Sequence, residues 1–88
     1  MIEFNQLEQL ICIAESGTIS KASEKLMLSQ PALSRSMQRL EADVGVPLFD
    51  HYKNKVILNP NGKLFLKFAK QLIQSRDEMV QETQLFDA

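Results

Sequence analysis

Residues 29–49 read SQPALSRSMQRLEADVGVPLF, and this stretch carries the signals for the start, one face and the end of a helix. Ser29 can accept a hydrogen bond from a free N–H group of a first helical turn, where Pro31 also fits because that turn needs no donor. Gly45 supplies a stop signal. An apolar stripe lies between, at spacings of four, three and four residues: Leu33, Met37, Leu40 and Val44. The stretch predicts one amphipathic helix.

The face opposite this stripe combines small and polar residues with arginine. At about 100° per residue, it carries the following residues in its centre and at its flanks: Pro31, Arg35, Gln38 and Ala42, then Ser34 and Arg39. Arginine and glutamine pair bidentately with guanine and adenine edges in the major groove of DNA, and small residues allow close approach. This face predicts a recognition helix.

Two shorter helices are predicted upstream. Thr18 and Ser20 are candidate caps for the second helix, whose inward residues recur at helical spacing: Ile19, Ala22, Ser23 and Leu26. The first helix is predicted from a stripe at spacings of three, four and three residues, ended by Gly17: Phe4, Leu7, Ile11 and Ala14. A tight connection at residues 27–29 then gives the second and third helices helix-turn-helix geometry.

Two short β-prone runs follow the third helix, at residues 47–51 and 55–58. They flank residues 52–54 and predict a two-stranded ribbon, or wing. Lys53 and Lys55 near its tip are expected to face phosphate or the minor groove, contacts that position a protein without reading much sequence. The alternative is that both lysines only increase solubility.

A long final helix is predicted from Pro60, capped by Asn59, to about Phe86. At 1.5 Å per residue it would be roughly 40 Å long, which exceeds what so small a core can cover. Two apolar sets recur along it every seven residues, and covering them requires a second chain. The residues predicted to form this dimer contact are Phe65, Leu72, Ile73, Met79, Val80 and Phe86.

The charge is unevenly distributed along the chain. The net charge of −1 argues against a nucleic-acid partner, since such domains are often strongly basic. However, residues 20–70 contain nine basic and four acidic side chains, whereas the remainder contains one basic and seven acidic ones. A basic middle flanked by acidic ends suits phosphate contact confined to one surface.

Composition bounds the class of protein more loosely. With 88 residues and 44% hydrophobic content, the chain is expected to form one small folded domain. No apolar run reaches membrane-spanning length and no signal peptide is apparent, so a soluble cytoplasmic protein without a membrane partner is predicted. Cys12 and His51 are single residues of their type. Since no catalytic set, metal-ligand spacing or phosphate-binding glycine loop is present, the sequence predicts neither an enzyme nor a cofactor or metal site.

These pieces together resemble the N-terminal DNA-binding domain of LysR-type transcriptional regulators. The resemblance runs from Phe4 to about Leu72, through FNQLEQLICIAESGTISKASEKL, SQPALSRSMQRLEADVGVPLF and VILNPNGKLFL. It implies a mainly α fold, in which residues 1–58 form a winged helix-turn-helix with three helices and a two-stranded wing. Residues 59–88 would then form a linker helix for dimerisation, with the family's effector domain absent from this chain.

The resemblance also implies sequence-specific binding of double-stranded DNA by a bacterial regulator. The helix from Gln30 to Val44 would enter the major groove and the wing would contact the backbone or minor groove, in a homodimer on an interrupted palindrome. A full-length protein would form higher oligomers and meet a small-molecule effector only through its missing C-terminal domain. With the polar face of the third helix, the predicted DNA-contacting set is Ser20, Lys21, Gln30, Pro31, Ser34, Arg35, Gln38, Arg39, His51, Lys53 and Lys55.

One position departs from the family pattern. His51 stands where family members usually have arginine, so its contact with DNA is expected to be weaker or pH-dependent. A second hypothesis stays open beside DNA binding: a winged helix can dock on a protein through the same surface. Salt dependence separates the two, because counterion release gives DNA binding a steep salt slope.

Overall fold

The computed structural model describes residues 1–52 and 55–87. Their helices and strands run in this order: α1 (Phe4–Ser16), α2 (Ile19–Leu26), α3 (Gln30–Val44), β1 (Phe49–Tyr52), β2 (Lys55–Leu58) and α4 (Pro60–Phe86). The predicted winged helix-turn-helix followed by a long helix is confirmed.

Residues that the sequence indicated as boundaries set most of the helix ends. Thr18, Ser29 and Asn59 each accept a hydrogen bond from the N–H group three residues later, at 3.1, 3.2 and 2.8 Å. Gly17 and Gly45 end α1 and α3 with φ angles of 85° and 90°. Glycine reaches this left-handed region without a steric penalty, so both helices stop where predicted.

The core lies where α1, α2, α3 and the base of the sheet meet. Leu33, Met37 and Leu40 are buried along α3, and Val44 packs against them. Leu10 from α1 meets this stripe and is fully buried. The inward face predicted for α3 is confirmed, so the opposite face of the helix points away from the core.

The inward face predicted for α1 is wrong in part. Of that stripe, only Leu7 is buried, while Phe4 is 48% exposed and the other two members are half-buried. Leu10 and Ile13 complete the buried face instead. α1 is rich in apolar residues and packs against α2, α3 and α4, so several stripes fit the spacing and tertiary contacts select among them.

The two strands form an antiparallel ribbon. Phe49 pairs with Leu58 at its base and Tyr52 pairs with Lys55 at its outer end. Phe49 is buried, but the next three residues of β1 are exposed, so the ribbon projects from the core. Tyr52 lies within the strand, although the sequence placed it in the turn. Residues 53–54, including Lys53, lie outside the described residues.

α4 lies along α1, and Arg76 of α4 forms an ion pair with α1. The Arg76 guanidinium lies 2.8 Å from the Glu8 carboxylate and 5.3 Å from the centre of the Phe4 ring. Hydrogen bonds to Glu8 and then to Asp77 raise the pKa of Arg76, so this cation stays charged. The described chain extends over 54 × 26 × 21 Å, and its long axis reflects how far the 27-residue helix reaches.

Candidate nucleic-acid interface

The outward face of α3 is accessible and carries free positive charge. Its predicted side chains are exposed except Ser34, which is half-buried: Gln30, Pro31, Arg35, Gln38 and Arg39. Within residues 1–52 and 55–87, no carboxylate forms an ion pair with Arg35 or Arg39. These guanidinium groups therefore keep their donors available for an external acceptor.

The first turn of α2 is a second part of the candidate interface. Ser20 and Lys21 are exposed there, behind the Thr18 cap. Ala22 and Ser23 are 0% and 5% exposed, and α2 packs against α3. These small residues let the two helices approach closely, which fixes the first turn of α2 relative to α3. A helix N-terminus with a lysine in its first turn suits a phosphate group.

The wing lies against one side of α3. A cleft of about 90 Å³ between them is lined by Ser34 and Gln38 from α3 and by His51 from β1. Three predicted site residues from two separate stretches of sequence therefore lie around one cleft. Lys55 is exposed at the outer end of the ribbon, opposite Tyr52.

The sequence interpretation missed a hydrogen-bonded junction behind this surface. We define the junction as Glu41, the segment 47–49, Asn59, Asn61 and Gly62. Glu41 Oε2 accepts hydrogen bonds from the N–H groups of Leu48 and Phe49, at 2.7 and 3.2 Å. The sequence offers only a weak signal, a carboxylate near the end of a helix that precedes a short turn into a strand whose first N–H groups need acceptors.

The other side of the junction belongs to the start of α4. Asn59 and Asn61 each donate a side-chain hydrogen bond to the Pro47 carbonyl, at 2.9 and 3.1 Å. A Cβ atom on Gly62 would lie 2.1 Å from the Leu48 carbonyl oxygen. The glycine in the first turn of α4 is therefore explained by close approach of this backbone.

The apolar residues of α4 divide between two faces. Phe65 packs against the core of its own chain, and Ile73 is half-buried beside Ile11 of α1. We call the exposed face the outer stripe, and it consists of Leu64, Phe68, Leu72, Met79 and Phe86. At 100° per residue these five side chains fall within an arc of about 80°. Val80 is 47% exposed and lies outside that arc.

The sequence prediction for dimerisation mixed these faces. Leu72, Met79 and Phe86 belong to the outer stripe, whereas Phe65 packs against its own core and Ile73 is half-buried. Leu64 and Phe68, at 59% and 52% exposure, lie on the outer stripe but were not in the predicted set. The two seven-residue sets consist of consecutive residues, which lie 100° apart on an α-helix. The repeat alone therefore does not show which set faces the core and which faces outward.

Comparison with known proteins places this arrangement in a family. Residues 4–63 match the family described as bacterial regulatory helix-turn-helix protein, lysR family. The chain belongs to the LysR family. The transcriptional regulator BsdA of Bacillus subtilis is 39% identical over 84 residues, which cover 94% of this chain and 29% of BsdA. This chain spans about a quarter of the length of the curated LysR relatives that it matches.

Solved structures of this family share the fold. The DNA-binding domain of BenM with benA site 1 DNA has a TM-score of 0.92 and 31% identity, covering 99% of this chain and 98% of that one. BenM is a regulator of Acinetobacter baylyi. The DNA-binding domain of CbnR in complex with DNA has a TM-score of 0.90 and 33% identity, covering 96% and 97%. The chain is thus similar over nearly all its length to isolated LysR-family DNA-binding domains.

Among residues 1–52 and 55–87, no three His, Cys, Asp or Glu side chains are grouped so as to hold a metal ion. No helix in that part of the chain is both long and apolar enough to cross a membrane.

Proposed function

We propose that this chain binds double-stranded DNA sequence-specifically as the DNA-binding domain of a bacterial LysR-type transcriptional regulator. One observation carries the proposal: α3 buries a complete apolar stripe and leaves an opposite face with two unpaired arginines among the described residues. An α-helix fits the major groove of B-DNA, where arginine and glutamine read base edges. α3 is accordingly the recognition helix.

The proposed contacts divide into two kinds. Arg35 and Gln38, at the centre of the exposed face, read bases, with Ser34, Arg39 and the helix start at Gln30 and Pro31 contributing at the margins. Ser20 and Lys21 at the start of α2 contact phosphate, as do the wing residues His51 and Lys55. Lys53 is assigned the same role from the sequence.

We propose further that residues 59–88 dimerise two DNA-binding units formed by residues 1–58. The outer stripe supports this, since five large apolar side chains lie exposed on one arc of α4. A second copy that packs its own stripe there would remove them from water. A two-fold dimer reads two inverted half-sites, so the operator is an interrupted palindrome.

The curated relatives are about four times longer than this chain. From the family resemblance we propose that a C-terminal effector domain binds the small-molecule effector and builds higher oligomers, and that the protein acts in the cytoplasm. The homologues are transcriptional regulators. We therefore propose no catalytic role for this chain.

Selection of bound fragments from a random duplex pool tests the function. We expect enrichment of one inverted repeat with a fixed spacer, and a fall of log K with log salt of about 0.9 for each phosphate neutralised. The two-fold repeat would support the dimer as well as base reading. Failure to enrich any sequence, together with affinity for protein partners that is insensitive to salt, would favour the docking alternative.

A further inference from the structure

Glu41 connects the recognition helix to the base of the wing. It is half-buried on α3, and one of its carboxylate oxygens accepts hydrogen bonds from two backbone N–H groups at the start of the ribbon. Leu48 and Phe49, which donate them, are 1% and 5% exposed. Buried N–H groups need acceptors, and hydrogen bonds to a charged acceptor are stronger than neutral ones. Glu41 therefore holds this backbone firmly.

The wing is attached to the body mainly through its base and one face. Phe49 is part of the core, and Val56 and Leu58 are half-buried against it, whereas His51 and Lys55 are exposed. The direction in which the ribbon projects is therefore set at its base, where segment 47–49 lies between Glu41 and Asn59. Because Glu41 belongs to α3 itself, one helix supplies both the base-reading face and the acceptor that orients the wing.

From this geometry we infer that Glu41 is a positioning residue for DNA binding: it fixes the wing relative to α3 so that Lys55 reaches phosphate while Arg35 reads a base. The inference rests on the proposed function. Glu41 lines the same cleft as Ser34, Gln38 and His51. Its role is exerted through the backbone of Leu48 and Phe49.

Two substitutions separate the hydrogen bonds from the charge. Glu41→Gln removes the charge but keeps a carbonyl oxygen at the same reach. Glu41→Asp keeps the charge but shortens the side chain by one methylene, so both hydrogen bonds are lost. A positioning role predicts that Gln, whose hydrogen bonds are weaker but keep their geometry, stays close to wild-type behaviour and that Asp does not, whereas a general electrostatic effect on DNA predicts the reverse.

The readout is a double-mutant cycle on affinity for the selected operator. We expect Lys55→Ala to weaken binding about fivefold in the wild type and in Glu41→Gln, as the loss of one phosphate contact. In Glu41→Asp the same change should cost less than about twofold, because the wing no longer presents Lys55 in place. Arg35→Ala should cost the same in all three backgrounds, since α3 itself is undisturbed.

Asp43→Ala is the matched control, because it removes a carboxylate two residues further along α3. Asp43 pairs only with the N-terminal ammonium group, at 3.1 Å, within the described chain. The Lys55 effect should persist at full size in Asp43→Ala. Without DNA, the amide resonances of Leu48 and Phe49 should shift in Glu41→Asp and stay near wild-type positions in Glu41→Gln.

The possible failures are distinguishable. A Lys55→Ala effect of equal size in all Glu41 backgrounds would overturn the positioning role while leaving DNA binding intact. Unshifted Leu48 and Phe49 resonances in Glu41→Asp would overturn it as well, without reference to DNA. A wild-type protein that binds no duplex would instead refute the proposed function, and this inference with it.

Discussion

α3 and α4 begin alike but differ in how their apolar residues are covered. Each starts with a polar cap followed closely by proline, and each carries apolar residues at helical spacing. In α3 every member of the stripe packs inside the chain. In α4 only one side does so, and five large apolar side chains remain exposed on the outer stripe.

The difference shows what periodicity on a helix can and cannot indicate. Spacing identifies residues that share a face, whereas coverage depends on which elements lie beside that face. α3 lies between α1, α2 and the sheet base, so a single stripe is enough. α4 reaches beyond the body of the domain, and nothing in the described part of the chain covers its exposed face.

The largest expected effect follows from disrupting the outer stripe. Phe68→Asp with Met79→Asp places two charges on a face that is exposed in the single chain, so the fold should survive while the dimer dissociates. Loss of the tethered second half-site should lower operator affinity by about 10²- to 10⁴-fold. Analytical ultracentrifugation and operator titration measure the two effects.

Gln81→Asp is the control for this change. It adds a charge to an exposed residue two positions beyond Met79, hence about 200° around the helix. The control should remain dimeric and bind as the wild type does. A dimer that persists in the Phe68→Asp, Met79→Asp variant would show that the outer stripe is not the seam.

The second test compares a leucine from each helix in the isolated monomer. Leu40→Ala removes a fully buried side chain from α3 and should lower the free energy of unfolding by about 2–5 kcal/mol. Leu72→Ala removes a side chain that is 53% exposed and should cost under about 1 kcal/mol there. Urea denaturation at protein concentrations low enough for the dimer to dissociate gives both values. Equal losses would contradict the distinction drawn between the helices.

The fold followed from the sequence wherever local chemistry decides it. Ser29, Asn59 and Gly45 determine helix ends through their own side chains or backbone freedom. The α3 stripe was unambiguous because polar residues surround it. α1 misled the prediction because Leu10 and Ile13 compete with Phe4 for the core, and only packing against three other helices settles which residues are buried.

The candidate site was predictable to a similar extent. Arg35 and Gln38 follow from their position opposite the stripe, and their exposure agrees with that prediction. Glu41 did not follow, because its partners are backbone N–H groups seven and eight residues away. No periodic pattern encodes such a contact, and it requires the direction in which the chain turns after α3.

A third test compares an arginine from each helix. Arg35→Ala should weaken operator binding by about 1–3 kcal/mol and relax preference at one base pair in each half-site. Arg76→Ala removes the same charge from α4, where Glu8 and Asp77 already pair with it, so base preference should not change. Operator titration with single-base variants measures both. Unaltered preference in Arg35→Ala would remove Arg35 from the base contacts.

The smallest expected effect concerns how the chain enters each helix. Both α3 and α4 are entered through an extended cap residue, Ser29 or Asn59, but the turn before α3 also contains Met27, which ends α2 with φ 57° and ψ 40°. A left-handed conformation costs an L-residue about 1–2 kcal/mol, and glycine avoids this at a somewhat smaller cost in chain entropy. Since Met27 is 91% exposed, its side chain adds little in compensation.

Met27→Gly should therefore raise the free energy of unfolding by about 0.5–1 kcal/mol. Met27→Ala is the control, because it removes the side chain but keeps the strained backbone, and it should leave stability nearly unchanged. Thermal and urea denaturation measure both variants. A gain in the alanine variant equal to that in the glycine variant would attribute the effect to the exposed methionine side chain and not to the left-handed backbone of the turn before α3.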